Sequence, residues 1–260
     1  MEEWVNLSTK KFDVYYSSFN GLTEEQQNNF KIKKDHSIRV AETALQLAER
    51  LDLGEKDKSL AFFIGLFHDI GRFKQLVEYN TFDDSKSVDH ADYSLQVLKD
   101  GTFFDLLDEK QTELAMFAIA NHNKRNLPKG MSEEEILFAK IIRDADKLDI
   151  LKVLTDYYSN PRARANHTLT WEMPTGTAVS KDVWKEVVKG SLVSKEKVES
   201  QLDIKVMQLS WVYDINFKSS FEVVMKNRFL EKIYNSMPKN DKVIEIYRTI
   251  KVYAENKFLG

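Results

Sequence analysis

LAFFIGLFHDIGRF, Leu60 to Phe73, is the stretch whose reading decides the architecture. Its apolar half, Leu60 to Phe67, has no polar side to turn toward water, which marks a helix buried at the centre of a domain. The run is too short to cross a bilayer, and nowhere does the chain string together the eighteen or so apolar residues that a membrane helix needs. Asp57 is a candidate cap at its start, and Gly71 is placed to stop it in a left-handed conformation. Between run and stop stand His68 and Asp69, two polar residues closing an apolar helix.

Outward from this helix the pattern stays helical. Toward the N-terminus, Thr23 and Gln26 have the spacing of a capping box opening a short helix. From Lys34 onward, Ile38, Ala41, Leu45 and Ala48 recur at spacings of three and four and predict an amphipathic helix ending near Gly54. Toward the C-terminus, EYNTFDDSKS reads as a loop. A helix then begins near Asp89, carries Ala91, Leu95 and Leu98, and ends by Gly101; another runs from about Glu109 to His122. Ser132 and Glu135 form a second capping box at the head of a long helix, EEEILFAKIIRDADKLDILKVLTDYY, that ends before Pro161. Residues 159–180 read as a long loop, of the kind that often borders a working site. Three helices follow, near 181–189, 195–234 and 241–257, the middle one breaking near Asp214 or Asn216. No alternation of β-branched residues calls for a sheet, so the fold class is all-α.

The chain has 260 residues, 42% of them hydrophobic, enough for a large core without disulfide or structural metal. One globular unit over 1–260 is expected. The absence of cysteine excludes disulfides, thiolate catalysis and thiolate-bound metals, and suits a reducing cytoplasm. The N-terminus shows no basic segment followed by an apolar run, so no signal peptide is expected. A formal net charge of -3 with interspersed signs gives no electrostatic footprint for long nucleic acid or an anionic membrane.

Four of the five histidines break the apolar pattern at the ends of helices: His36, His68, His90 and His122. Any one of them alone reads as a satisfied core or cap histidine. Together with Asp69 they form a donor set suited to zinc, iron, manganese and related divalent ions. The long helix offers a further carboxylate. Asp146 shares a face with Phe138, Ile142 and Val153, and an aspartate on an apolar stripe needs a pairing or a metal. Asp144 has Lys140 and Lys147 as helical neighbours and reads as a surface or supporting residue. Asp149, one turn beyond Asp146, is placed to hold a ligand imidazole or touch substrate.

Taken in order, His36, the doublet His68–Asp69 in LFHDIGRF, and Asp146 in RDADKLDIL resemble the pattern of the HD-domain metal-dependent phosphohydrolases, over roughly residues 30 to 155. The resemblance implies a helical HD core, drawn at 25–158, with residues 181–260 a helical extension packed on it. His90 in SVDHADYSLQVL and His122 in AIANHNK match the two histidines that binuclear members add. The implied metal set is therefore His36, His68, Asp69, His90, His122 and Asp146, with Asp69 bridging two ions; manganese, iron, zinc, cobalt and nickel are the candidates, with magnesium a further one. A mononuclear site of His36, His68, Asp69 and Asp146 is the fallback. The chain departs from the cyclic-dinucleotide branch, because HNKRNLPKG stands where that branch has Gly-Tyr-Pro. It also lacks the signature of guanosine tetraphosphate hydrolases. Its opening HSIRVAETA is similar to the branch that cleaves dinucleoside tetraphosphates, and HDIGRF with RDADKLD is similar to stand-alone HDIG-type proteins.

The implied activity is hydrolysis of a phosphoester or phosphoanhydride in a small phosphorylated metabolite, with nucleotides the leading class. Water activated by the ions is the implied nucleophile. Arg72, Lys124, Arg125 and Lys147 are candidates for the substrate phosphate, Arg72 first because its fork matches phosphate geometry; Asp69, Arg72 and Lys147 are the catalytic candidates. Arg162, Arg164 and His167 read as loop residues, and Tyr79, Phe82 and Trp171 as residues that either stack on a base or pack over the core. Two other readings stay open: a nucleotide-sensing module without turnover, and a diiron oxygenase. Trp184 and Trp211 mark a packing surface against the HD core or a partner subunit, which leaves a homo-oligomer open.

Overall fold

Helix α3, Glu55–Phe67, is buried without interruption from Ser59 onward, as the apolar run requires. It lies in a computed structural model that describes residues 2–160 and 173–260. Gly54, and not Asp57, occupies its N-cap position. Against it packs α2, Glu24–Arg50, one continuous helix of 27 residues where the sequence suggested two. The capping box at Thr23 and Gln26 is present, and no glycine or proline between Thr23 and Arg50 interrupts what it starts. The two helices meet through small residues. A Cβ on Gly65 would lie 2.7 Å from the Cα of Ala41, so their backbones are in contact.

Three short elements follow. Gly71 does not end α3; it opens α4, Gly71–Tyr79. Its φ is not positive, and the reason for glycine is room: a Cβ there would sit 2.5 Å from the backbone nitrogen of Ser94. The Gly71 N–H donates to Ser94 Oγ at 3.0 Å, which ties α4 to α5, His90–Asp100. Between them the loop holds a 3₁₀ turn at Asp84–Lys86. Asp89 caps α5 by accepting from the N–H groups of Ala91 and Asp92. Helix α6, Glu109–Asn121, starts from a capping box of Asp108 and Gln111. Helix α7, Glu133–Ser159, starts where Ser132 and Glu135 predicted. The N-terminal α1, Glu2–Ser17, carried no signal in the reading above. It places Phe12 edge-on to Phe67 and to Phe73, and Phe73 in turn meets Phe30. No strand occurs among the described residues.

The chain divides into two compact units, Met1–Asp146 and Lys147–Gly260, with the boundary inside α7; most of the loop expected over 159–180 lies outside the described residues. The second unit contains α8 (Lys181–Val188), α9 (Gln201–Ser210), α10 (Lys218–Lys226), α11 (Phe229–Asn235) and α12 (Asp241–Leu259). It has a core of its own, including Val183, Val206, Leu209, Phe221, Ile233, Ile246 and Ile250. The long segment 195–234 breaks at the expected place, with a 3₁₀ turn at Trp211–Asp214, and again at Arg228, whose φ is 55°. No helix among the described residues is long and apolar enough to cross a membrane.

Candidate metal centre

In the first unit, five side chains converge on one carboxylate, two from helix interiors and three from helix ends. His36 projects from α2 and Asp146 from α7. His68 and Asp69 lie in the turn that joins α3 to α4, His90 is the first residue of α5, and His122 caps the end of α6. Asp69 stands at the centre, and its two oxygens face different partners. Oδ2 is 3.7 Å from His36 Nε2 and 3.7 Å from His68 Nε2. Oδ1 is 3.6 Å from His90 Nε2 and 3.8 Å from His122 Nε2. Asp146 Oδ1 completes the first half, 3.2 Å from His36 Nε2 and 3.8 Å from His68 Nε2.

The rings are aimed by their other nitrogens. His68 Nδ1 lies 2.8 Å from the Gly65 carbonyl and His122 Nδ1 lies 2.7 Å from the Ile119 carbonyl. A carbonyl only accepts, so both Nδ1 atoms carry the proton and both Nε2 atoms present a lone pair in the neutral ring. His90 Nδ1 faces the carboxylate of Asp84 at 2.5 Å, with the same consequence. His90 Nε2 and His122 Nε2 are then two lone pairs 3.0 Å apart. That arrangement is repulsive unless a proton or a metal ion lies between them. Two ligand bonds of about 2.1 Å meeting near a right angle span this distance.

Burial sharpens the point. His68 Nε2 and Asp69 Oδ1 are buried without a hydrogen-bond partner, a costly state for polar atoms in a dry interior. Burial, followed by the neighbouring His90 and His68, pushes the His122 imidazole down to about 3. Burial also lowers His68, against the pull of Asp69 and Asp146. Both are therefore neutral at physiological pH, the form that binds metal. Burial opposes the charge on Asp69, but Lys33, His68, Arg72 and His90 outweigh it and hold the carboxyl well below its usual range. Asp146 is held low in the same way, against its burial, by His36 and His68. Neutral imidazoles, ionised carboxylates and orphaned buried donor atoms fit divalent ions. His36 with His68 and Asp146, and His68 with Asp69 and His122, form two distinct clusters able to chelate one each.

A third group, Asp84, Asp89 and His90, has similar spacing, but its carboxylates are engaged otherwise. Asp84 accepts from Arg72 at 2.7 Å. Asp89 accepts from Lys124 at 2.7 Å and from Asn123 at 3.1 Å.

The cations chosen from sequence are placed unevenly. Arg72 is at the centre, its Nε 3.6 Å from Asp69 Oδ1, but its Nη1 is committed to Asp84, to Gln75 Oε1 and to the Phe82 carbonyl. Lys147 pairs with Asp214 at 2.6 Å. Lys124 is held by Asp89, and Arg125 is exposed. Arg162, Arg164, His167 and Trp171 lie outside the described residues. Asp149 is buried. Asp144, expected as a surface or supporting residue, is fully buried and so not at the surface, because this stretch of α7 is surrounded on all sides and Lys140 and Lys147 do not mark a solvent face.

Three residues passed over in the sequence belong to the surroundings of the site. Lys33, one turn before His36 on α2, places Nζ 2.8 Å from Asp69 Oδ2, and its spacing from His36 was a readable signal. Asp84 orients His90 from a loop whose conformation no pattern encodes. Arg143, buried on α7, donates to the carbonyls of Asn121 and Lys124 at 3.0 and 2.5 Å, closing the end of α6 beneath His122.

Residues 34–151 match the family model described as HD domain. No curated protein and no solved structure matches the chain.

Proposed function

We propose, from the match of residues 34–151 to the HD-domain family model and from the geometry of the cluster, that this protein is a metal-dependent phosphohydrolase with a binuclear centre, acting on a small phosphorylated metabolite, a nucleotide foremost. One observation carries the reading: the two oxygens of Asp69 face two separate pairs of histidine nitrogens. His36, His68, Asp69 and Asp146 would hold one ion, and Asp69, His90 and His122 the other. Bound divalent ions supply a water acidified into the working range and offset charge on phosphoryl oxygens.

The chain's own residues do the rest. Burial of His68 and His122 keeps their imidazoles unprotonated and available. Lys33 and Arg72 flank Asp69, one beside each oxygen; Lys33 is the cation offered to an anionic phosphate, while Arg72 is balanced by Asp84. The ring of Phe82 lies between them, 5.5 Å from Lys33 Nζ and 5.9 Å from the Arg72 guanidinium. An aromatic face at that position suits a base or other flat group attached to the phosphate.

The test is a panel of mono-, di- and triphosphates, cyclic nucleotides, dinucleoside polyphosphates and an aryl phosphate, with Mn²⁺, Mg²⁺, Fe²⁺, Zn²⁺, Co²⁺ and Ni²⁺ in turn. Phosphate or nucleotide release is expected with at least one pair and is lost in His68→Ala. Protein shown to hold its ions but inert across the panel would replace this reading with nucleotide sensing or with oxygen-dependent diiron chemistry.

A further inference from the structure

We infer that Asp84 is the positioning residue on which the His90 half of the metal centre depends; the inference rests on the binuclear reading above. His68 and His122 are aimed by backbone carbonyls within their own turns. His90 is aimed by a side chain from the loop between α4 and α5. Asp84 Oδ2 accepts from His90 Nδ1 at 2.5 Å, while Oδ1 accepts from Arg72 Nη1 at 2.7 Å and from Gln75 Nε2 at 3.2 Å. Arg72 and His90 both return to Asp69 Oδ1, each 3.6 Å away. Asp69, Arg72, Asp84 and His90 thus surround one half of the site, joined by hydrogen bonds at Asp84 and by close approach at Asp69 Oδ1.

Asp84 has two tasks there. It fixes the plane and tautomer of His90, so that Nε2 offers its lone pair toward Asp69 and His122. It also neutralises Arg72, whose guanidinium would otherwise stand as an uncompensated cation beside the position of a dication. The loop that carries it is fastened from below. Buried Gln75 donates to Ser87 Oγ at 2.8 Å and to the Val88 carbonyl at 3.1 Å, and Arg72 donates to the Phe82 carbonyl at 2.6 Å. Asp84 itself is 31% exposed, so its substitution removes no part of the core.

The experiment is a Mn²⁺ titration of chelator-stripped full-length protein by equilibrium dialysis, with elemental analysis of bound ion. Wild type should take two equivalents. Asp84→Asn and Asp84→Ala should keep the first and bind the second 10- to 100-fold more weakly, the usual effect of losing a ligand's outer partner. Asp84→Glu, which restores the charge, should recover most of it. Melting of the stripped proteins reports folding separately, and the isosteric Asn variant carries the comparison if Ala melts early. Equal weakening of both equivalents, or two equivalents as tight as wild type, would overturn the inference alone. A single equivalent in wild type would overturn the binuclear reading and the inference with it.

Discussion

Asp144 and Asp146 stand two positions apart on α7 in opposite surroundings. Asp144 is sealed in the interior, whereas the Asp146 side chain keeps 18% exposure and meets His36 and His68. Choosing Asp146 from its apolar stripe reached the residue that joins the cluster, but for an incomplete reason. Residues 141–145 are buried all round, and Val153 of that stripe is exposed. A ligand that must also meet substrate needs an opening, and Asp146 has one. Asp146→Ala should release metal and abolish hydrolysis. Asp144→Ala should retain metal and lose about 1–3 kcal/mol of stability, the cost of stranding buried polar partners; urea melts with metal analysis of each variant separate the two. Retained metal in Asp146→Ala would assign the site's carboxylate elsewhere. Lys33 makes the complementary case. Lys33→Met should leave metal content unchanged while weakening inhibition by inorganic phosphate about 10- to 100-fold, since a charge-assisted contact to phosphate is worth about 1.5–3 kcal/mol. Loss of metal in that variant would show that the ammonium holds Asp69 in place and does not serve substrate.

Helices were legible wherever their ends carried chemistry. The boxes at Thr23 and Ser132 and the cap at Asp89 all start helices where side chains can take the first free N–H groups. Helix α4 was not legible, since its start has no side-chain cap and depends on α5 lying against it. Gly71 shows how the local reading failed: glycine after a helix suggests a left-handed stop, yet here it is a point of near contact between elements. Gly65 is another. Gly65→Ala would drive a methyl into the Ala41 backbone, which is not the flexible end of a side chain, and should cost at least about 1–3 kcal/mol. Gly54→Ala meets nothing closer than 3.9 Å and should stay within about 1 kcal/mol of wild type. Thermal melts of the two side by side check the contrast; comparable losses would mean that α2 and α3 have more slack than their backbone approach indicates.

At the scale of the whole molecule, the expected all-α class and the structure agree, with no strand among the described residues. The extent of its units was harder to foresee. One unit was expected over 1–260, while the division lies within α7, a helix that has no break in composition. The metal centre collects ligands from five parts of the first unit and leaves buried donor atoms unpaired, so ions should stabilise the fold strongly. Binding at a free concentration one hundred times Kd adds about 2.7 kcal/mol per site, and each kcal/mol moves Tm by about 2–4 °C in a chain of this size. Chelation should therefore lower Tm by at least several degrees, and Mn²⁺ should restore it; an unchanged melt from protein proven metal-free would contradict the cage described here. The spread of those ligands along the chain also has a consequence during synthesis. The last of them, Asp146, leaves the ribosome long after the first, and translation runs at about 5–20 residues per second. An ion that meets the nascent chain earlier finds an incomplete set on helices not yet docked. A metal bound by the complete set would then seal a structure that hydrophobic packing has assembled, and its uptake would report completion of the first unit.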